Sequence, residues 1–499
     1  MKKQKFWLNI VSSYGVQIIT TICSFILPRV FLSEYGSAVN GLISSITQYL
    51  AVISLTDMGI TVVVQSSLYK PLADKDNDTI SKILVSAQKF YSIIGIGLVV
   101  YSAALCIWYP NVINTKFDAL YIIGLIVILS IDSLAQYMFG ITRSQLLNAD
   151  QKKYVVSISS AIARILNTVI CCMLVHYHAS IHTVKLVSAI VFLINPLTYN
   201  WYVRKYYSVN WKIKYKQEPI NQKWNGVARH VSSYVFDNTD VLLLTAFAGL
   251  EKVSVYAVYN MVLKGINQLV SVISQVIQPM LGEYWAKNEN DKFAHYFFSY
   301  EWVMQTMGHF IFGCTLTLIV PFIQVYTSDI NDANYIVPLF AALVTLAGEA
   351  QFLRISYGTV IGSVGHFKQT QSNYVVCAVM NLALSTILVK PFGLVGVAIP
   401  TLLASVYMYL WQGIYVYKSV LKVSLRKFFA GGIKSLIIII VGYIATSRFY
   451  MFSPTYIGWL ILAIINAVIW GIVVLIVNIL FNKTQMMLAV KAVLKTVKK

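Results

Sequence analysis

Long apolar runs separated by short polar breaks recur along almost the whole chain. Stretches such as Tyr121–Ser130, Leu436–Ala445 and Trp459–Leu480 are of the kind that spans a bilayer, which requires ~20 residues of helix. Reading the runs and their breaks predicts about fourteen spanning helices. They lie near 7–31, 38–66, 84–108, 118–140, 154–176, 183–203, 230–249, 253–281, 297–325, 334–356, 370–389, 394–416, 428–447 and 456–480. The second and eighth exceed the bilayer requirement, so they are expected to tilt or project beyond it.

Polar residues inside these runs fall into stripes. In the first span Ser13, Gln17, Thr20 and Ser24 recur at i, i+4, i+7 and i+11, which is one face of a helix. The second span carries Asn40, Ser44, Thr47, Gln48 and Ser54 and ends near Asp57; the fifth carries Ser157, Ser160, Arg164, Asn167 and Cys171. The eighth carries Asn260, Lys264, Asn267, Ser271, Gln275 and Gln278. Hydroxyl and amide groups of this kind can bond neighbouring helices together or line a watery path.

The stripes return with a shift of 220. VSSY at 11–14 recurs at 231–234, and residues 40–54 share Asn40/Asn260, Ile46/Ile266, Gln48/Gln268 and Ser54/Ser274 with 260–274. Gln151 and Tyr154-Val155-Val156 fall on Gln371 and Tyr374-Val375-Val376 at the same offset. Residues 1–210 and 221–420 therefore read as two six-helix bundles in pseudo-two-fold repeat. An extra helix pair follows at 428–480. With stripes on spans 1, 2, 7 and 8, a polar cavity is expected between the halves.

Composition fixes the class. Apolar residues make up 58% of the 499, charged residues 12%, and the mean hydropathy is +0.67; a soluble domain carries about 25% charge. This is an all-α polytopic membrane protein. The net charge of +20 is distributed by topology. Alternate connections and both termini hold 28 of the 39 Lys and Arg, and the other side holds Lys116, Lys185, Lys252, Lys390 and Arg448. That asymmetry places both termini in the cytoplasm and accounts for the basicity without nucleic acid. The first span is too long and polar for a cleaved signal peptide, and all six cysteines lie inside spans, where they behave as small apolar residues.

Candidate chemistry rests on charges inside spans, each costing about 2.5–3.5 kcal/mol at mid-bilayer. Lys264, Arg164, Asp237 and Asp240 should face water or each other. Arg29 follows Pro28 near the outer end of span 1, where its head can snorkel, and Arg354 follows Glu349 by five residues, close enough for an ion pair. Lys89 and Lys434 sit near helix ends. No Walker, G-x-S-x-G or H-E-x-x-H motif is present. His176, His178 and His182 cluster in a short outer connection with no carboxylate or cysteine beside them in sequence, so no metal or other cofactor is expected. The short outer connections disfavour an envelope glycan enzyme.

The run SEYGSAVNGLISSITQYLAVISLTDMGI at 33–60, QSSLYKPLADKD at 65–76 and the FYSIIG opening of span 3 resemble bacterial polysaccharide flippases of the Wzx type. These belong to the multidrug/oligosaccharidyl-lipid/polysaccharide exporter superfamily. The resemblance implies a bacterial plasma-membrane transporter moving a polyprenyl-pyrophosphate-linked oligosaccharide to the outer leaflet by alternating access. It also implies partners among membrane lipids, polysaccharide polymerase and other assembly proteins. Lipid II flippase relatives also have fourteen spans, the last two forming a lipid groove. A pyrophosphate calls for guanidinium or ammonium donors in a low-dielectric site. Arg29, Arg164, Lys264 and Arg354 supply them, with Asn40, Asn260, Gln48, Gln268, Tyr14 and Tyr234 for sugar hydroxyls. Asp57, Asp132, Asp237 and Asp240 are coupling-ion candidates and keep a multidrug or cation antiporter open; an assembly enzyme or a scaffold are further alternatives.

Overall fold

The computed structural model describes the backbone of residues 2–499 except 58–59, 114, 216, 221–226, 450–454, 483–485 and 487–499, and leaves the side chains of 2–14, 56–57, 62, 227–230, 268–273 and 275–276 undescribed as well. Among the described residues there is helix and no strand. The helices are α1 Lys2–Ala51, α2 Ile60–Asp74, α3 Asn77–Val112, α4 Ala119–Ala135, α5 Ile141–Ala149, α6 Lys153–His176, α7 Ile181–Phe192 and α8 Ile194–Tyr206. They continue as α9 Val227–Phe247, α10 Leu250–Ala286, α11 Asn290–Tyr326, α12 Pro338–Val364, α13 Phe367–Phe392, α14 Leu394–Tyr415, α15 Leu425–Thr446 and α16 Tyr456–Phe481. Eleven helical stretches among the described residues are long and apolar enough to cross a membrane. The first, Gly15–Leu55, takes in most of the first expected span and much of the second. Large apolar side chains stand exposed on them, among them Ile107 at 73%, Leu120 at 79% and Ile464 at 65%. A continuous skin of that kind requires lipid around it.

Local chemistry sets the helix ends. Asp76 caps α3 by accepting from Thr79 N at 3.0 Å and Thr79 Oγ1 at 2.6 Å. Those bonds hold its carboxyl below the ordinary value. Ser180, Ser424 and Thr455 cap α7, α15 and α16 in the same way. Gly36 breaks α1 with φ 79°, a left-handed conformation that glycine adopts without a Cβ penalty, so the first two spans abut almost without a loop. The second span, expected to be continuous, is interrupted instead. A 3-10 turn at Val52–Asp57 separates α1 from α2, and tighter turns of this kind inside a helix mark bends. A single-turn π-bulge at Gln136–Gly140 joins α4 to α5.

Left-handed residues recur along the chain with a spacing of their own. Gly36 is answered by Gly249, Lys75 by Asn288, Gln151 by Gly365 and His178 by Gly393, each about 214 residues later and each with φ between 53° and 91°. The backbone reversals recur, but in a register five to seven residues shorter than the 220 shift of the sequence matches, seven for the first two pairs. Seven residues are close to two turns of helix. Two turns return every side chain to the same face, so striped sequences match almost as well after the slip.

The chain forms two compact units, Met1–Ala257 and Val258–Lys499. In the first, α1 packs on α6 and α9, α3 on α4, and α4 on α7, around fully buried Leu42, Leu84, Tyr91, Leu98 and Leu125. Tyr109 Oη donates to Ser45 Oγ at 2.6 Å, and Thr245 Oγ1 bonds the same oxygen at 2.8 Å. The segment after α8 lies along this unit: the Arg143 guanidinium stacks 4.4 Å from the Trp211 ring, and Lys89 Nζ sits 4.7 Å from that of Tyr215. In the second unit α12 packs between α11 and α14, and α13 on α14. The expected extra pair, α15 and α16, packs on α11 through Trp470. That fully buried ring fills the space over Gly313 and Gly442. Thr317 Oγ1 to Asn466 Oδ1 at 2.8 Å and Trp302 Nε1 to Asn478 Oδ1 at 2.6 Å extend the seam.

Candidate functional site

Within the first unit, α1, α4 and α7 enclose a cavity of about 270 Å³. Its polar lining is Thr47 from α1, Asp132 and Ser133 from α4, and Lys185 and Ser188 from α7; Leu50, Ile128, Leu129 and Phe192 make the apolar wall. Lys185 and Ser188 lie three residues apart, so one helix face presents both.

The charges around this cavity are held by specific neighbours. Lys185 Nζ lies 4.3 Å from the Phe31 ring centroid, a cation–π contact that steadies an ammonium away from bulk water. Asp132 takes a hydrogen bond from Gln136 of the π-bulge and feels the positive charge of Arg164 on α6. Its Oδ1 is buried with no hydrogen-bond partner. The irregular turn thus stands one helical turn beyond the acid, where it presents Gln136 to it. Arg29 is half-buried on α1, two residues before Phe31. Three basic residues from three helices therefore belong to this unit's spanning part; of these Arg164 acts on Asp132 and Lys185 shares its cavity.

Lys185 is the residue that sequence reasoning missed. Charge counting assigned it to the outer side, two residues inside the expected span 183–203, but α7 already begins at Ile181, and Lys185 is half-buried on it. The available signal was its spacing from Ser188 at the head of an apolar run. The histidine cluster disperses. His178 Nδ1 pairs with Glu34 at 2.6 Å, His182 Nε2 donates to the Tyr121 carbonyl at 2.8 Å, and His176 stands edge-on to Tyr177.

Several expected sugar ligands are engaged in the helix seam. Asn40 is buried and donates to Ser254 Oγ at 2.8 Å. Gln48 donates to Asn238 Oδ1, and its carbonyl accepts from Tyr234 Oη at 3.4 Å. Asp240 is buried and accepts from Tyr256 Oη at 3.1 Å, while Asp237 is exposed. Asn260 is half-buried and Lys264 exposed, both on α10. Arg354 is half-buried on α12 with its Nε buried and without a hydrogen-bond partner. It forms no ion pair with Glu349, whose carboxylate meets His309 Nδ1 at 2.7 Å instead; His309 Nε2 meets Ser435 Oγ at 2.9 Å. The side chains of Tyr14, Asp57 and Gln268 lie outside the described residues.

Comparison with known proteins places this geometry in context. The family described as "Polysaccharide biosynthesis protein" matches residues 3–285. Among solved structures, the lipid II flippase MurJ in an inward closed conformation is similar at a TM-score of 0.73 and 15% identity, covering 95% of this chain and 99% of that one. An inward-facing multidrug resistance MATE family transporter of the MOP superfamily is similar at 0.59 and 13%, covering 83% and 98%. A MATE transporter in a bent conformation follows at 0.52 and 13%, covering 84% and 96%. No curated protein matches the chain.

Proposed function

The chain belongs to the polysaccharide biosynthesis protein family, and from that premise we propose that it flips a polyprenyl-pyrophosphate-linked oligosaccharide from the inner to the outer leaflet of a bacterial plasma membrane by alternating access. It is a multi-pass helical membrane protein with the fold shared by MurJ and MATE transporters, and family and fold point to transport rather than catalysis. In this reading its termini are cytoplasmic, and a polymerase with other assembly proteins receives the cargo.

The observation that carries the reading is the lining of the α1–α4–α7 cavity. An ammonium and a carboxylate share it, and a guanidinium acts on the same carboxylate. A pyrophosphate is the stronger acceptor for such cations, since charge-assisted and bidentate bonds to phosphate add geometry to charge. In the proposed cycle the cargo engages Lys185 and draws Arg164 away from Asp132. Asp132, deprived of that counter-charge, then takes up a proton or metal cation, which links cargo entry to ion movement. Lys264 and Arg354, with Arg29, are proposed to hold the pyrophosphate elsewhere on its path, and Asn260 and the exposed edges of the polar stripes to meet sugar hydroxyls. The buried, unpartnered Oδ1 of Asp132 favours one competing reading, export of an organic cation.

Proteoliposomes loaded with a fluorescent lipid-linked oligosaccharide test the two together. Flipping that is lost in Lys185→Met and in Lys264→Ala, with no uptake of a cationic dye, supports the glycan. Dye transport abolished by Asp132→Asn, with no glycan flipping, refutes it.

A further inference from the structure

The second unit contains a polar cavity that the transport reading leaves unused. It measures about 290 Å³ and lies where the start of α15 meets the end of α16 and the first half of α11. Lys427 and Lys434 of α15, Gln305 and Trp302 of α11 and Asn482 after α16 line it, with Phe298, Phe428 and Phe481 as walls.

This cavity is already charged and organised. Lys427 and Lys434 are seven residues apart, so both project from one face of α15. Lys434 Nζ is set by Asn482 Oδ1 at 3.1 Å and the Phe481 carbonyl at 3.4 Å, and keeps a third N–H to give. Lys427 Nζ stands 5.6 Å from the Phe298 ring centroid. Neither lysine forms an ion pair among the described residues. Glu301 also lines the cavity, but its two oxygens accept from Tyr357 Oη and Tyr417 Oη, each at 2.7 Å. The carboxylate is thereby committed to the floor, and two ammonium groups are left over it.

The surroundings identify what such a pair would take. The same helix segments expose Phe429 at 49%, Ile433 at 61%, Leu436 at 60% and Leu480 at 70%. A polar, cationic pocket that continues into exposed apolar side chains fits an amphiphile with an anionic head. Basic pockets between spanning helices at the positively charged membrane face are suited to anionic phospholipid headgroups. The run Lys418, Lys422, Arg426 and Lys427 marks this end of α15 as that face.

We propose that this cavity binds the phosphodiester headgroup of an anionic phospholipid, its phosphate between Lys427 and Lys434 and its acyl chains along Ile433, Leu436 and Leu480. The lipid then joins α15, α16 and α11 at the end opposite to the Trp459 contact with the Leu318 carbonyl. This holds whatever the cargo, because it concerns a resident lipid.

Native mass spectrometry of the full-length protein, titrated with phosphatidylglycerol or phosphatidylcholine, tests it. Lys427→Gln and Lys434→Gln should each weaken phosphatidylglycerol retention by roughly fivefold, and the double variant by more. Phosphatidylcholine binding should not change, nor should Lys287→Gln, at an exposed lysine paired with Glu283, have any effect. Should Lys434→Gln disturb α16 through its lost bonds, Lys427→Gln alone decides the matter. Equal phosphatidylglycerol retention by wild type and both single variants would overturn the proposal. Displacement of the lipid by millimolar inorganic phosphate or pyrophosphate would also overturn it, and would identify a free-anion site.

Discussion

Adding one methyl group at Gly442 should loosen the C-terminal helix pair, while the same change ten residues earlier should not. A Cβ built on Gly442 lies 2.3 Å from Trp470 Cζ3 and 2.5 Å from Cη2, far inside contact distance. The indole is rigid and fully buried, and its other side presses on Gly313, where a Cβ would lie 2.3 Å from Cε3. It cannot retreat in either direction. Overpacking of this kind costs about 1–3 kcal/mol. Gly432 lies on the same helix with nothing within 4 Å of its Cβ position, so Gly432→Ala should be neutral or gain up to ~1 kcal/mol of helix preference. Thermal unfolding of the purified protein in one detergent, read from tryptophan emission, compares the two. Trp470→Leu combined with Gly442→Ala should recover part of the loss, as a coupling of about 0.5–3 kcal/mol between residues in contact. Equal midpoints for Gly442→Ala and Gly432→Ala would refute the argument, and so would strictly additive effects in the double variant.

Lys185→Met should lower glycan flipping about 10–100-fold at unchanged membrane level, and Lys185→Arg should retain part of it, both read in the proteoliposome assay. Tyr207 donates to Asp150 Oδ2 at 2.6 Å; burial first, and then the Asp150 bond and charge, raise its hydroxyl above the ordinary value of 10.0. A raised tyrosine contributes stability that is present below pH ~10 and lost as pH rises further. Tyr207→Phe should therefore cost ~1–2 kcal/mol equally at pH 6 and pH 9 in thermal melts. Gln151→Gly should raise the melting midpoint, by about 1 kcal/mol in stability, because Gln151 holds φ 57° where the second half has Gly365; an unchanged or lower midpoint would show that the Gln151 side chain repays its backbone strain.

What the chain spelled out was helix and face; what it withheld was partner and position along the axis. Apolar runs located α3, α6, α11 and α16 closely, because a bilayer admits little else. The break at Val52–Asp57 escaped notice because Ser54 and Asp57 read as the continuation of a polar stripe on an unbroken helix. Asn40 and Gln48 read as ligands, yet each found a polar partner on a neighbouring helix, the outcome that lipid surroundings favour for any amide. Arg354 lost Glu349 to His309 for a simple reason: five residues along a helix is off-face, and His309 comes from α11. Lys185 was hidden by its place at the very start of the expected span 183–203, where a lysine reads as an end charge of the outer side.

The repeated left-handed turns carry a consequence for depth. If the two halves correspond through these turns, a residue transferred by the 220 match near Gly36 arrives on the same face but two turns away, about 10 Å along the axis. A hydrocarbon core is only about 30 Å thick, so that error moves a charge a third of the way across. Swapping side chains between the halves, or grafting a cation from one onto the other, should therefore be measured from Gly36 and Gly249.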